Sequence, residues 1–121
     1  MIKYKELKIW DIGIRILKEV YFLSDHFPES EKFGLTSQIK KASISLVSNI
    51  AEGAGRNSNQ QFVQFLSISK GSAYEIEAQL IIANELGFIT NEALDSIIIL
   101  IQEYCKMNQN LQNYFKNLEN K

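Results

Sequence analysis

From Phe62 to Ala83 the chain sets an apolar or small residue at alternating steps of four and three: Phe62, Leu66, Ser69, Ala73, Ile76, Leu80 and Ala83. Such steps keep residues on one side of an α-helix, whereas a half-buried strand needs strict alternation, so the segment reads as a helix with one seam to cover. Three heptads without slippage favour nearly antiparallel neighbours packed knobs into holes.

The same period recurs wherever the 121-residue chain is not punctuated by its single proline, Pro28, or by Gly34, Gly53, Gly55 and Gly87. In the first segment Ile9, Gly13, Ile16, Val20, Leu23 and Phe27 draw one line, with Trp10, Ile14, Leu17 and Tyr21 beside it, and Phe27-Pro28 ends the helix because the residue before proline is pushed out of the α region. Leu35, Ile39, Ala42, Leu46 and Ile50 form the second stripe, with Gly53 and Gly55 marking its exit as a tight turn. Ser58 and Gln61 read as a capping box, Gly87 as a left-handed C-cap, and Thr90 or Asn91 as the cap of a last helix carrying Leu94, Ile98, Ile101, Cys105, Leu111, Phe115 and Leu118. The expected architecture is all-α: one domain, 1–121, folded as an antiparallel up-down-up-down four-helix bundle with helices at about 8–27, 35–54, 58–86 and 91–118. Ile97-Ile98-Ile99-Leu100-Ile101 points apolar side chains all round its helix, and helix 1 carries two apolar lines. This excess surface calls for a homo-oligomer.

Composition removes several function classes. A lone Cys105 cannot form an internal disulfide, and one histidine without partner cysteines cannot build a zinc site. Residues Met1 to Lys8 lack an apolar signal core, and no apolar run is long enough to span a bilayer, so a soluble cytoplasmic protein without membrane contact is expected. The net charge is −1. Residues 1–56 hold nine Lys/Arg against seven Asp/Glu and residues 57–121 four against seven, too even a division to name a partner. No nucleophile, base and orienting group assemble. His26 sits where a cation meets the carbonyl end of helix 1, and the nearest upstream arginine, Arg15, stands eleven residues away. Gly53-Ala54-Gly55 lacks the P-loop lysine and hydroxyl, and no Glu-x-x-His pair offers a di-iron site. No catalytic, cofactor or metal residue is therefore assigned, and the chain reads as a non-enzyme.

Helix 2 carries the unusual feature. Gln38, Lys41, Ser45, Asn49, Glu52 and Arg56 recur at steps of three and four and share one stripe. A plain solvent face would favour better helix formers than mid-helix Ser45 and Asn49, whose placement asks that their hydrogen bonds be used. A second line on helix 3, Phe65, Ile68, Ser72, Glu75, Gln79, Ile82 and Leu86, is polar only in its middle. A hairpin turning near Arg56 sets Lys41 against Ser72 and Glu75 against Gln38. The expected result is a partly sequestered cluster of Gln38, Lys41, Ser72 and Glu75 with Lys41 and Glu75 ion-paired, a device that confers register more than stability.

Phe27-Pro28, the run Phe33-Gly34-Leu35-Thr36-Ser37-Gln38-Ile39-Lys40-Lys41-Ala42, then Ser45, Asn49-Ile50-Ala51-Glu52-Gly53, Arg56, Phe65-Leu66, Gly71-Ser72, Glu75 and Leu86-Gly87-Phe88 resemble the S23 ribosomal protein family, also described as 23S rRNA intervening-sequence proteins, from Trp10 to about Ile89. The resemblance implies a closed ring of five bundles, similar to the accessory variability proteins that assist a retroelement reverse transcriptase. It implies an RNA or an RNA-handling protein as partner. Lys40-Lys41 stands where the family favours arginine, which keeps charge but loses bidentate recognition, and Val47 stands where proline is frequent. Gln38, Lys40, Lys41, Ser45, Asn49, Glu52, Arg56, Ser72 and Glu75 are the candidate binding residues of a helical scaffold. The alternative is a direct RNA or ribosome binder using Lys40, Lys41, Arg56 and Lys70 repeated around the ring.

Overall fold

The computed structural model describes residues 2–119; Met1, Asn120 and Lys121, the ends of the expected domain, lie outside the described residues. Four helices carry the fold: α1, Lys8–Ser24; α2, Leu35–Ala54; α3, Asn59–Glu85; and α4, Asn91–Glu119. Two short 3-10 turns, Tyr4–Glu6 and Glu29–Glu31, precede α1 and α2, and no strand occurs among the described residues.

Helix α1 stops three residues short of Phe27. Before Pro28 the backbone tightens, with Asp25, His26 and Phe27 N–H donating to the carbonyls three residues back. The N-cap of helix α2 is Gly34, which has no side chain to serve, and the Glu31 carboxylate takes that role by accepting the Leu35 N–H at 3.1 Å. Ser58 caps α3 by accepting the Gln61 N–H at 3.2 Å, and Thr90 caps α4 by accepting the Ala93 N–H at 3.1 Å. Gly87, at φ 79°, ends α3 with the Phe88 N–H donating to Ala83 O and the Gly87 N–H to Asn84 O, a Schellman cap.

Each helix packs on its sequence neighbours, and α1 closes on α4. The partners that meet run in opposite senses: Ser69 with Leu46 and Ser72 with Ser45 across α2 and α3, Leu66 with Asn108 and Ser69 with Tyr104 across α3 and α4. The seams read from spacing on α1 and α3 are the buried faces, and Ile16, Val20, Ile39, Leu46, Ile50, Phe62, Leu66, Ile76 and Leu80 are fully enclosed. On α4 the buried line is turned from the expected one. Ile97, Ile101, Tyr104, Asn108 and Gln112 face inward, while Leu94 and Ile98 are half-buried and Leu118 is exposed. The open α1–α4 side carries three depressions in line, of about 370, 420 and 270 Å³.

Gly53 sits inside α2 and turns nothing. A Cβ there would fall 2.6 Å from Phe65 Cβ and 2.9 Å from Phe62 Cδ1, so its missing side chain lets α3 lie against α2. Gly55 adopts ordinary right-handed helical angles. The exit of α2 thus falls at Gly55, its C-cap, as expected, while Gly53 serves a close helix approach in place of the turn.

Candidate functional site

That close approach sets the register of the α2–α3 face. Because Phe62 and Phe65 pack on Gly53, the first turn of α3 stands beyond the end of α2, and every facing pair moves by about one turn from a hairpin folded on Arg56. Ser72 meets Ser45 in place of Lys41, donating from Oγ to Oγ at 3.0 Å. Asn49 Nδ2 donates to Ser45 O at 2.8 Å and to Ser45 Oγ at 3.1 Å. Mid-helix Ser45 and Asn49 therefore spend their hydrogen bonds on a Ser72–Ser45–Asn49 chain that ties α2 to α3.

The expected Lys41–Glu75 ion pair does not form. Lys41, Glu75 and Gln38 are exposed, so the sequestered cluster is corrected to the two serines and one asparagine. Among the described residues the one ion pair is Arg56 Nη2 with Glu52 Oε1 at 3.0 Å, and the Arg56 guanidinium also lies 4.9 Å from the centre of the Phe65 ring. Arg56 is thus held at the exit of α2 by a carboxylate one turn back and an aromatic face from α3.

The cations of the direct-binding alternative are spread out. Lys40 lies off the stripe and places Nζ 5.0 Å from the Tyr21 ring on α1, whereas Lys70 Nζ donates to Gln109 Oε1 of α4 at 2.8 Å. Lys41 and Arg56 alone of the four stay on the stripe. Isoleucines edge it: Ile44 on α2 and Ile68 and Ile82 on α3 are each about half exposed.

Behind this face lies a buried polar ladder that sequence reading missed. Ser69 Oγ donates to Leu46 O at 2.6 Å, which leaves Ser69 Oγ itself as the acceptor for the Tyr104 hydroxyl. One turn further along α4, Asn108 Nδ2 donates to Leu66 O at 3.0 Å and accepts at Oδ1 from Gln112 Nε2 at 2.7 Å. Burial pushes the Tyr104 phenol from its ordinary 10.0 up to about 12, against the opposing hydrogen bonds of Ser69 and Asn108. Burial likewise pushes the Cys105 thiol up. Gln79 is buried too, with Oε1 unpartnered. The sequence signal for it is the 97–101–104–108–112 spacing, along which the amides of Asn108 and Gln112 continue a line begun by Ile97 and Ile101.

Of the remaining candidates, His26 is exposed with Nδ1 3.2 Å from Phe22 O. No group of three or more His, Cys, Asp or Glu among the described residues could hold a metal ion. No described helix is long and apolar enough to cross a membrane.

Fold and face together define a small all-α four-helix bundle protein with an internally hydrogen-bonded polar strip along one helix pair. A crystal structure of a protein of unknown function from the S23 ribosomal protein family of Bacteroides thetaiotaomicron superposes with a TM-score of 0.79 over 87% of this chain and 95% of the other; at 24% identity the likeness is one of fold. The chain belongs to the family described as 23S rRNA-intervening sequence protein, which matches residues 5–110. No curated protein matches it.

Proposed function

We propose that the chain is a non-enzymatic scaffold: an up-down-up-down bundle whose copies close into a homo-oligomeric ring of five in the cytoplasm and present the α2 stripe, with Arg56 and the facing part of α3, to an RNA or an RNA-handling protein. One observation carries the reading. The polar strip is already organised by the Ser72–Ser45–Asn49 hydrogen bonds and the Glu52–Arg56–Phe65 stack, while Ile44, Ile68 and Ile82 beside it stand half exposed. A preformed polar pattern edged by uncovered aliphatic surface is the anatomy of an interface, because little side-chain freedom is left to lose on contact. Ile99 on α4, 65% exposed, adds uncovered surface for self-assembly. The dispersal of Lys40 and Lys70 to other flanks favours the scaffold over direct phosphate binding, which gains from clustered cations.

Light scattering across a dilution series tests the assembly: the expected mass is a fixed multiple of 13.9 kDa, and a stable monomer refutes the ring. Filter binding of 23S rRNA fragments across salt separates the partners. Salt-steep binding supports direct phosphate contact, and salt-independent or absent binding turns the reading to a protein partner.

A further inference from the structure

Antiparallel packing gathers residues that are far apart in sequence at the two ends of the bundle. At the end holding the α1–α2 and α3–α4 connections, residues 22–36 and 82–96 contribute the carboxylates Asp25, Glu29, Glu31, Glu85, Glu92 and Asp95 against one lysine, Lys32. Glu31 is occupied as the cap of α2, and none of the others is ion-paired. The opposite end is nearly even, with Lys3, Lys5, Lys8, Arg56 and Lys116 against Glu6, Asp11, Glu52 and Glu119. A nearly neutral chain is therefore polarised along its axis.

The acidic end also holds uncovered apolar surface. Phe33 is 89% exposed, Phe22 60% and Leu86 57%. Beside Phe22 lies the 270 Å³ depression of the α1–α4 seam, lined by Leu23, His26, Phe88, Ile89 and Ala93 among others. Asp25, the C-cap of α1, and Glu92, in the first turn of α4, are both exposed and stand next in the chain to His26 and Ala93 of that lining, so the apolar seat lies at the carboxylate-rich end of the bundle. We propose that this seat docks a basic, apolar-anchored helical segment of a protein partner, with an aliphatic or aromatic side chain lodged against Phe22 and Phe88 and lysines or arginines reaching Asp25 and Glu92. Charge complementarity selects the occupant: the same carboxylates repel a phosphate backbone, so nucleic acid is excluded from this end. The inference rests on the partner-recruiting reading above and gives a protein partner a second point of contact, at the end of the bundle, in addition to the α2 stripe.

Fluorescence anisotropy tests it with a dye-labelled amphipathic peptide of about 18 residues carrying lysines on its polar face and leucine and phenylalanine on the other. The expected result is saturable, salt-weakened binding that falls roughly tenfold in Phe22→Ala and in the double reversal Asp25→Lys/Glu92→Lys. Lys116→Glu at the other end leaves it within about twofold, and an isomeric peptide with glutamates for lysines does not bind. Phe22, Asp25 and Glu92 are exposed, so their variants keep the fold, which circular dichroism checks. Failure of the lysine peptide to bind, equal binding of both peptides, or indifference to the two variants overturns the proposal. A mass that drops in the charge reversal also overturns it, since the occupant is then a second copy. If the peptide fails while ring mass or rRNA binding holds, the docking seat falls and the scaffold reading stands.

Discussion

Replacing Ser69 by alanine isolates one rung of the buried ladder. The Ser69 hydroxyl has a single proton, already given to Leu46 O at 2.6 Å, so the fully buried Tyr104 hydroxyl donates to it. Without Ser69, Tyr104 loses that acceptor in a site closed to bulk water. An unsatisfied buried hydroxyl costs about 1–3 kcal/mol, and the better helix propensity of alanine returns roughly 0.5 kcal/mol. The net expectation is a loss of about 1–2 kcal/mol, or roughly 4–8 °C in Tm for a chain of this size. Tyr104→Phe alone removes the group that needs the acceptor and should be milder. The pair should be coupled, the double variant falling short of the summed single losses by about 1 kcal/mol. Urea unfolding followed by circular dichroism at one fixed protein concentration supplies the four stabilities, since assembly would otherwise shift them. Additive losses, or a Ser69→Ala variant within about 0.3 kcal/mol of the parent, would refute the ladder as a set of mutually dependent bonds.

Other outcomes follow from the same geometry. Gly53→Ala forces a Cβ to within 2.6 Å of Phe65 Cβ, so α2 and α3 must separate, with a loss of about 1–3 kcal/mol despite alanine's helix preference; thermal melts check it. Tyr104 keeps its proton in the folded state up to about pH 12, whereas the unfolded phenol loses it near 10. Stability is therefore full below pH 10 and falls by about 2–3 kcal/mol as pH approaches 12. Tyr104→Phe should flatten that part of the profile, and absorbance near 295 nm should show one of the five tyrosines titrating late. Arg56→Ala breaks a solvent-exposed pair with Glu52 and should change stability by less than about 1 kcal/mol, while abolishing partner recruitment with the oligomer intact. A melt that drops further marks Arg56 as a structural residue.

Much of the bundle was legible because periodicity is a local signal: the α1 and α3 seams needed only the spacing of Ile9, Gly13 and Ile16 or of Phe62, Leu66 and Ser69. Helix α4 was harder. Its all-round apolar run, Ile97 to Ile101, fits several rotations, and the true one is chosen by partners on other helices, Ser69 and the Leu66 carbonyl, for Tyr104 and Asn108. The α2–α3 pairing failed for a related reason, since the missing side chain at Gly53 shifts Ser72 onto Ser45 and leaves Lys41 and Glu75 apart. The stripe was readable as a set of residues on one helix face; what each touches depended on register. Charge polarity was invisible in sequence halves because each end of the bundle draws on every helix.

The ladder also has a boundary. Its bonds join α2, α3 and α4, and no side-chain hydrogen bond or ion pair among the described residues ties α1 to another helix. Helix α1 is held by oily contacts such as Ile16 and Val20, by the Tyr21–Lys40 stack and by a seam with three depressions along it. Three helices are thus joined by directional bonds as well as by burial, whereas α1, with Ile9, Ile12, Ile16, Val20 and Leu23 buried, is joined by burial and one cation–ring contact. The amides of α1 should therefore exchange with solvent ahead of those around Ser69, which hydrogen-exchange mass spectrometry checks.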